Sequence, residues 1–516
     1  AEKSRQSGKL IFNREEDEKE NPIIIDYLKI KCSGIKIIDD NTFQITLTEK
    51  YPQFQYWLSM TFFCPIPCEA IQFYEQKEVK AKGFSLLAYP VGTGPYKFEK
   101  CNRNARMIIS RNENYHDDFY PNEASPEFKE LLKDAGKKLP FSDKIIWTKE
   151  PEQTSQWIKF QQGYLESAGI PEHSFTSAID LNDSNGGLSQ AMQEKKIKLI
   201  KAPRASIWYF GFNMLDPVVG GYEEKKIKLR QALSIAIDAE EYLNTFSNGR
   251  GIVAQHFIPP GIFGYKEGQA GVNPYIFEWD ASQNKAILKN ISVAKKLLEE
   301  ADYPNGINKE TGKQLVVFLD CSILPASQSD WYKSQFNKLN VTLVIRDTDN
   351  NRLAEKYDSG NFQIFMGGWN ADYPDPENFL FLFYSPNGKV KFKGENIANY
   401  ANIEFDKLFD QIKSMDNNTT RMKLIDQATE IIRKDAPWKL LHFPVDYILY
   451  HDWYQNILAG GVINNGSKYQ DISMNTRALY RDQVNKPSLF WPLSLIILFF
   501  SAFFLTAYRF FKKEMN

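Results

Sequence analysis

Residues Gly367–Pro376 read Gly-Gly-Trp-Asn-Ala-Asp-Tyr-Pro-Asp-Pro and form the most specific motif of the 516-residue chain. It follows an apolar run, Phe362–Met366, that is typical of a buried strand. One carboxylate, Asp372, stands between two aromatic side chains, Trp369 and Tyr373, just beyond the predicted strand. Taken alone, the stretch also fits an ordinary turn.

A second specific stretch lies earlier in the chain. Pro90–Phe98 reads Pro-Val-Gly-Thr-Gly-Pro-Tyr-Lys-Phe, and Arg111–Tyr115 follows it as Arg-Asn-Glu-Asn-Tyr. Glycine has no Cβ, so Gly92 and Gly94 allow positive φ angles and a close backbone approach. Pro95 then directs the chain into a strand.

Strand and helix patterns alternate through the middle of the chain. Period-two alternation over residues 42–48 predicts a half-buried strand, and apolar runs at 315–319 and 341–345 predict buried strands. Apolar residues at helical spacing predict amphipathic helices over 225–238 and 293–301. This alternation predicts the α/β class.

Composition and missing motifs exclude several functional classes. The net charge is -1, so the chain does not bind nucleic acid through bulk charge. Five cysteines in 516 residues exclude a disulfide scaffold. The sequence has no Walker A, HExxH, GxSxG or CxxC pattern, and its five histidines have no metal-ligand spacing. We therefore expect no enzyme, no metal and no cofactor.

Three weaker patterns have ordinary structural interpretations. Cys64 and Cys68 fit either a disulfide or a pair of buried thiols, and a metal site there would need further ligands. Asp347–Asp358 resembles a calcium loop, but Arg352 stands where the loop needs glycine. We predict a strand end followed by a solvated helix there, and a turn at Asn248–Gly251. Residues 1–25 are polar and charged and predict a loop or solvated helix.

The C-terminal region predicts a membrane anchor. Pro487–Tyr508 contains 22 residues and no charge, which is enough for about 30 Å of hydrocarbon. Arg509, Lys512 and Lys513 follow and place the short tail in the cytoplasm. The alternative is a buried core helix. The polar residues before this span predict a tether.

Together the two specific stretches resemble family 5 solute-binding proteins of ABC importers, which bind dipeptides, oligopeptides or nickel. Three further segments fit the family in the same order. They are Asn213 with Leu229–Asp238, then Gly249–Pro260, then Ala294–Ala301. The resemblance covers roughly residues 30–455.

The resemblance implies a bilobal periplasmic-binding-protein-like fold of the class II or cluster C type, plus one C-terminal transmembrane helix. It also implies that about a hundred residues usually precede the equivalent of Asp26, so we expect a fragment or an unusually short member. The expected domains are a partial peripheral subdomain (1–88), a basal lobe (89–205, returning near 446–470), a second lobe (206–445), a tether (471–486), a transmembrane helix (487–508) and a cytoplasmic tail (509–516).

The resemblance also implies a ligand site in the cleft between the lobes. In peptide-binding relatives the acid of the Gly-Trp-x-x-Asp motif pairs with the ligand's α-amino group, and Asp372 stands at that position. Met366 stands where some oligopeptide binders have arginine, which leaves peptide length open. Asp375, between two prolines, is predicted to face solvent. The expected ligand-binding residues are Gly368, Trp369, Asn370, Asp372 and Tyr373.

The roles of two of these elements have alternatives. Trp369 and Tyr373 would supply an apolar wall for the ligand, whereas core packing is the alternative for Trp369. The loop at Gly92–Gly94 is expected to border the lobe junction, with a structural role.

The expected function is capture of peptides outside the cytoplasm for an ABC permease and its ATPase. We expect a monomer on the extracytoplasmic face, anchored by its C-terminal helix. The alternatives are a non-peptide ligand such as a metal chelate or sugar, a murein peptide, or a membrane-tethered sensory or structural ectodomain. Asp372 disfavours sugars but does not distinguish free peptides from murein peptides.

Overall fold

The computed structural model describes residues 33–515, except residues 103, 184–185, 463–464 and 487–489. The backbone packs into two units, residues 1–52 and 53–516. The charged segment 1–25, which predicts a loop or solvated helix, lies outside the described residues.

Eighteen strands are present in the described part of the chain. They are β1 (Ile35–Asp39), β2 (Thr42–Ile45), β3 (Tyr96–Asn102), β4 (Arg106–Arg111), β5 (Lys144–Thr148), β6 (Ser167–Gly169), β7 (Ile197–Pro203), β8 (Ser206–Phe212), β9 (Ile252–Val253), β10 (Phe277–Asp280), β11 (Lys285–Leu288), β12 (Val316–Ser322), β13 (Thr342–Thr348), β14 (Ile364–Asn370), β15 (Trp438–Phe443), β16 (Val445–His451), β17 (Tyr454–Gln455) and β18 (Asp471–Ile472).

Helices alternate with these strands, and short 3₁₀ turns connect some of them. The α-helices are α1 (Phe54–Leu58), α2 (Cys68–Glu75), α3 (Lys77–Ala81), α4 (Gln153–Gln161), α5 (Phe175–Ala178), α6 (Gln190–Glu194), α7 (Glu224–Ala236), α8 (Ala239–Phe246), α9 (Ile291–Glu300), α10 (Ala326–Asn337), α11 (Asn350–Ser359), α12 (Glu377–Leu380), α13 (Lys389–Phe392), α14 (Ile403–Ile412), α15 (Thr419–Asp435), α16 (Met474–Val484) and α17 (Phe490–Glu514).

In the first unit, β1 and β2 form an antiparallel hairpin. The prediction of a half-buried strand over residues 42–48 is wrong in its burial, because Phe43 and Leu47 are 58% and 39% exposed. The described residues of this unit form a two-stranded sheet.

The largest sheet of the second unit has six strands in the order β13-β12-β14-β8-β15-β9. Side chains alternate across it, as strand geometry requires. On β8, Ile207 and Tyr209 enter one core with residues of α14 and α15. Phe210 and Phe212 enter a second core with residues of α7, α9 and α10. The sheet is therefore covered by helices on both faces, as α/β architecture predicts.

Two smaller antiparallel sheets have three strands each, β3-β4-β5 and β6-β16-β7. The second of these packs on α4 through Trp157, Phe160 and Leu449. It is joined to the six-stranded sheet by two short connections, from β7 to β8 and from β15 to β16. These two crossing segments touch, because Arg204 N donates to Pro444 O at 2.9 Å.

Most of the predicted secondary structure is confirmed. Helices α7 and α9 match the two predicted amphipathic helices, and β12, β13 and β14 match the buried runs. Asp349 caps α11 by accepting from Asn351 N and Arg352 N, so the calcium-like stretch is a strand end followed by a helix. The predicted turn at Asn248–Gly251 is present, with a φ of 71° at Gly249.

The segment predicted to be a tether is structured for much of its length. Helix α16 packs on the turn between α4 and β6, where Arg477 pairs with Glu166 at 2.9 Å. The Tyr480 hydroxyl donates to Gln161 O at 2.8 Å, and Asn485 Nδ2 donates to Gln162 O at 3.0 Å. These contacts dock α16 onto the folded unit.

The last helix, α17, is apolar and exposed to solvent. Within Pro492–Glu514, the most apolar stretch of 18 residues has a mean hydropathy of 1.9, and none of it is buried. It is long and apolar enough to cross a membrane. A buried core helix, the alternative interpretation of this stretch, does not fit that exposure.

Candidate functional site

The paired glycines of the motif lie inside strand β14, not in the turn that follows it. Gly367 and Gly368 lie opposite Tyr209 and Trp208 of β8. A Cβ on Gly367 would come within 2.7 Å of the Tyr209 ring, and one on Gly368 within 3.0 Å of the Trp208 ring. Glycine is therefore required here by two cross-strand aromatic rings.

Because side chains alternate between the two faces of a sheet, Trp369 points to the opposite face from its neighbours on β14. Trp369 is half-buried against the first core, with its ring centroid 5.3 Å from that of Phe381. Its Nε1 donates to Asn378 Oδ1 at 3.0 Å. This placement favours the packing role for Trp369. The aromatic side chain left open at this end of the sheet is Trp208, which is 43% exposed.

The side chain that faces Trp208 on strand β15 is partly buried and uncharged. His442 of β15 lies opposite Trp208. Burial lowers the pKa of the His442 side chain to about 4, so this imidazole is neutral at physiological pH.

Asp372 follows the end of β14 and its side chain is exposed. Asn378, which is only 2% exposed, organises it through two hydrogen bonds. Asn378 Oδ1 accepts from Asp372 N at 2.9 Å, and Asn378 Nδ2 donates to Asp372 Oδ2 at 3.2 Å. No cation pairs with Asp372 among the described residues, so its carboxylate is held in place and open to a ligand.

Tyr373 does not line an open cleft as predicted. It is 4% exposed and stacks on Tyr56 with ring centroids 5.8 Å apart. Its hydroxyl donates to Glu377 Oε2. Burial against a segment more than 300 residues away explains the difference, because no local pattern signals that contact.

The prediction that Asp375 faces solvent is wrong. Asp375 is 3% exposed and accepts two hydrogen bonds of 2.7 Å from the guanidinium of Arg421 on α15. Gln53 Nε2 also donates to it at 3.3 Å. The prolines on either side do make a turn, but that turn points its carboxylate into the protein to meet a buried arginine.

A cavity of about 330 Å³ lies where the two crossing segments meet the motif. Its polar lining includes Arg204, Ser206, Asn370 and Asp446. Ser206 Oγ donates to Asn370 Oδ1 at 2.6 Å, and Arg204 Nε donates to Asp446 Oδ1 at 2.7 Å. The cavity therefore presents both charges and amide-type polar groups beside Ala371, the neighbour of Asp372.

A larger cavity, of about 720 Å³, lies between β5 and residues 164–167 and contains none of the predicted site residues. We place the candidate site at the smaller cavity because the motif and the crossing segments converge there. Of the predicted residues, Asn370 lines it and Asp372 follows the lining residue Ala371. Gly368 lies against Trp208, and Trp369 and Tyr373 pack into the protein.

Three residues of this site were missed by sequence reasoning, namely Asn378, Trp208 and Arg204. Asn378 lies six residues beyond Asp372, and nothing in the local pattern marks it as a partner. Trp208 and Arg204 lie about 160 residues before the motif. Trp208 meets it through the pairing of β8 with β14, and Arg204 lines the same cavity as Asn370. The available signal for Trp208 and Arg204 was the presence of polar or aromatic residues at the ends of neighbouring predicted strands.

The Gly92–Gly94 loop and the cysteines lie apart from this site. Neither Gly92 nor Gly94 has a positive φ, and a Cβ on either would meet nothing within 4 Å. The loop borders a groove over β3, β4 and β5, not the crossing segments. Cys64 and Cys68 are free and exposed, so they are neither buried nor bonded to each other. Across the described residues, no three His, Cys, Asp or Glu side chains cluster as metal ligands.

Comparison with known protein families decides the class of the protein. The model for bacterial extracellular solute-binding proteins, family 5 Middle, matches residues 9–391. The chain belongs to solute-binding protein family 5. This is a family of binding proteins, not of enzymes, and its description places it outside the cell.

Individual relatives of this family 5 protein are distant. Heme-binding protein A of Haemophilus influenzae is 26% identical over 78% of this chain and 63% of its own length. The dipeptide-binding protein of Escherichia coli is 22% identical over 78% of this chain and 65% of its own length. The chain thus spans less than two thirds of both relatives.

A solved structure confirms the predicted fold of the family 5 protein. The periplasmic binding protein DppA from Helicobacter pylori, solved with the peptide STSA, superposes with a TM-score of 0.64 at 21% identity. The match covers 85% of this chain and 74% of that one. The fold is therefore that of the bilobal periplasmic binding proteins, and the two crossing segments join the sheets of its lobes.

Proposed function

We propose that this family 5 protein captures peptides with a free amino terminus at the junction of its lobes and delivers them to an ABC permease in the same membrane. The observation that carries the proposal is the Asp372 carboxylate. It is exposed, is held by Asn378 and has no cationic partner among the described residues. A peptide ammonium would supply that partner.

A closed cleft removes water from around a bound ammonium group. Taking a charge out of water costs several kcal/mol unless an opposite charge meets it. A fixed carboxylate at Asp372 therefore makes a free amino terminus a condition of tight binding. Relatives whose names or titles state peptide binding, such as the Escherichia coli dipeptide-binding protein, support a peptide ligand for this chain.

The membrane part of the proposal rests on α17. Its apolar, exposed surface suits lipid, and Arg509, Lys512 and Lys513 after the uncharged run suit the cytoplasmic side. Anchoring would keep the binding protein close to its permease and raise their effective concentration.

Asp372→Asn tests the proposal, because it removes the charge and keeps the size of the side chain. Losing one partner of a buried charge pair costs about 2–5 kcal/mol, or roughly 30- to 3,000-fold in affinity. We expect the variant to lose that much affinity for free peptides, as measured by calorimetry. N-acetylated peptides should bind weakly to the wild type and about equally to both forms.

Asp347→Asn is the matched control. Asp347 is an exposed aspartate near the end of β13 in the same sheet, and its removal should leave peptide affinity unchanged. Equal binding of free and acetylated peptides by the wild type would refute the amino-terminus role and favour a non-peptide ligand. In that case hemin would be the next ligand to test, given the name of the Haemophilus influenzae relative.

A further inference from the structure

Three segments that are distant in sequence meet at the turn between α4 and β6, residues 161–164. Helix α16 docks on this turn, and its Arg481 guanidinium lies over the Tyr164 ring, 4.3 Å from the ring centroid. From the other side, Lys195 Nζ donates to Gln161 Oε1 at 2.9 Å, just after the end of α6. The turn is therefore the place where α4, α6 and α16 come together.

The same turn lies close in the chain to the start of α17. Asn485, the last residue that α16 holds on the turn, donates from Nδ2 to Gln162 O at 3.0 Å. Only residues 486–489 separate Asn485 from Phe490, the first residue of α17. Four intervening residues extend over at most about 14 Å. An α17 that spans a bilayer therefore brings the turn to the membrane surface.

The surface around the turn exposes apolar and basic side chains together. Ile158 is 49% exposed, Tyr164 45% and Val484 42%. Lys196 and Lys486 are exposed as well. Aromatic rings favour the headgroup layer of a bilayer, and cations are attracted to anionic lipids. This mixture of side chains is therefore typical of a surface that lies in a membrane interface.

We call this surface the juxtamembrane patch. It consists of the exposed or half-buried side chains of Ile158, Tyr164, Lys195, Lys196, Arg481, Val484 and Lys486. Two exposed carboxylates border it, Glu194 and Asp482, so four cations less two carboxylates leave a net charge of +2. The potential of an anionic surface decays within a Debye length, about 8 Å at physiological ionic strength. The short connection to α17 keeps the patch near enough to the bilayer to come within that distance.

We propose that the juxtamembrane patch rests on anionic phospholipid headgroups of the membrane that α17 spans. This inference rests on the membrane anchor of the proposed function and adds a second contact with the same bilayer. The apolar side chains enter the headgroup layer, and the cations pair with lipid phosphates. The folded unit is thereby held in one orientation to the bilayer and does not turn freely about residues 486–489.

The test uses the full-length chain in nanodiscs of phosphatidylcholine alone or of an equimolar mixture of phosphatidylcholine and phosphatidylglycerol. A water-soluble acetylating ester modifies the exposed lysines, and mass spectrometry measures the rate at each site. We expect Lys195 and Lys196 to react at least about threefold more slowly in the anionic nanodiscs, because the attraction of each cation holds the patch against the lipid. In ~1 M salt, where the Debye length is about 3 Å, the difference should disappear.

Lys295 and Lys296 are the matched control sites. They are also two adjacent exposed lysines of the same unit, but they lie on α9. Their rates should be the same in both kinds of nanodisc, because α9 has no chain connection to α17 that would hold it near the bilayer.

A double variant, Lys196→Gln with Lys486→Gln, tests the charge of the patch. Neither side chain has a hydrogen-bond or ion-pair partner in the part of the chain that the structure describes, so the variant should fold as the wild type does. It lowers the net charge of the patch from +2 to 0. Lys195 should then react at rates within about 1.5-fold of each other in the two nanodiscs. Lys295→Gln with Lys296→Gln is the control variant and should keep Lys195 protected. Thermal unfolding verifies that both variants are folded.

The outcomes separate this inference from the proposed function. Equal rates at Lys195 and Lys196 in both nanodiscs, or equal slowing of Lys295 and Lys296, would overturn the lipid contact and leave the anchor role of α17 intact. Protection of Lys195 that persists in the Lys196→Gln, Lys486→Gln variant would also contradict it. A full-length chain that does not enter nanodiscs would refute the anchor and the lipid contact together. Peptide capture at Asp372 is measured by calorimetry and does not depend on any of these results.

Discussion

At the scale of single residues, the buried pair of Asp375 and Arg421 fixes the loop that carries the binding motif. Both side chains are nearly inaccessible, at 5% and 1% exposure, and two hydrogen bonds of 2.7 Å join them. Arg421 Nε also donates to Ile412 O, which ties the loop to the end of α14. The loop therefore depends on a partner 46 residues away.

Asp375→Asn should destabilise the protein by about 3–5 kcal/mol, because it leaves the Arg421 guanidinium buried without its counter-charge. Urea unfolding followed by circular dichroism would measure the loss. Asp347→Asn, an exposed aspartate in the same sheet, should change the free energy of unfolding by less than about 0.5 kcal/mol. A loss that small in Asp375→Asn would show that the pair does not stabilise the fold.

Lys439 on β15 is a buried lysine whose ammonium lacks a hydrogen-bond acceptor among the described residues. It is 2% exposed and lies over the ring of Phe277 at 5.2 Å. Burial lowers its pKa to about 7. In the unfolded chain the amine stays protonated up to about pH 10, so the unfolded state binds more protons between pH 7 and 10. Stability from this group should therefore rise with pH across that window.

Lys439→Met should remove this dependence. The substitution keeps an unbranched side chain and deletes the amine, so it should stabilise the protein by up to about 4 kcal/mol near pH 7. The gain should shrink towards pH 10. Denaturation midpoints of wild type and variant from pH 6.5 to pH 9.5 would reveal it as a smaller slope for the variant. Parallel slopes would mean that the lysine is not neutralised on folding.

At the scale of elements, the hydrophobic period and the apolar content of the sequence predicted the helices and strands that local sequence determines. Helices α7 and α9 and strands β12 and β13 follow from such patterns. The strand that carries the motif was predicted to end before its glycines, but β14 runs through to Asn370. The difference arises because Tyr209 and Trp208, on a strand about 160 residues earlier, require those glycines as pairing partners.

Some features of the candidate site could likewise be predicted from the local sequence, and others could not. Asp372 and its position past a strand end were accessible from the motif. The inward orientations of Tyr373 and Asp375 were not, because Tyr56 and Arg421 determine them through contacts distant in sequence.

Helix α17 leads to a prediction about a whole element. A chain truncated after Asn485 should be released from membranes into the soluble fraction, because it loses the apolar segment that lipid would cover. Cell fractionation with a high-salt wash, followed by immunoblotting, would measure this. The full-length chain should stay in the pellet. Retention of the truncated chain in the washed pellet would contradict the anchor role of α17.

At the scale of the whole molecule, two crossing segments join the six-stranded sheet to the sheet β6-β16-β7. Each connection is short, and the two touch through the bond from Arg204 N to Pro444 O. A hinge of this kind needs changes at only a few backbone dihedrals to bring two sheets together. The candidate site lies beside these segments, so a closure of the lobes would exclude water from around a ligand bound there.

The docking of α16 on the folded unit limits how far that unit could move from a membrane anchor at α17. A flexible linker of 16 residues would have an end-to-end distance of roughly 20 Å or more, and the folded unit could move over that distance from its anchor. Arg477, Tyr480 and Asn485 hold α16 and the residue after it on the folded unit, so only residues 486–489 lie between Asn485 and α17. Four residues reach at most about 14 Å. An anchored protein would thus stand on a short stalk and meet its transporter by sliding in the plane of the membrane, so that encounter becomes a two-dimensional search.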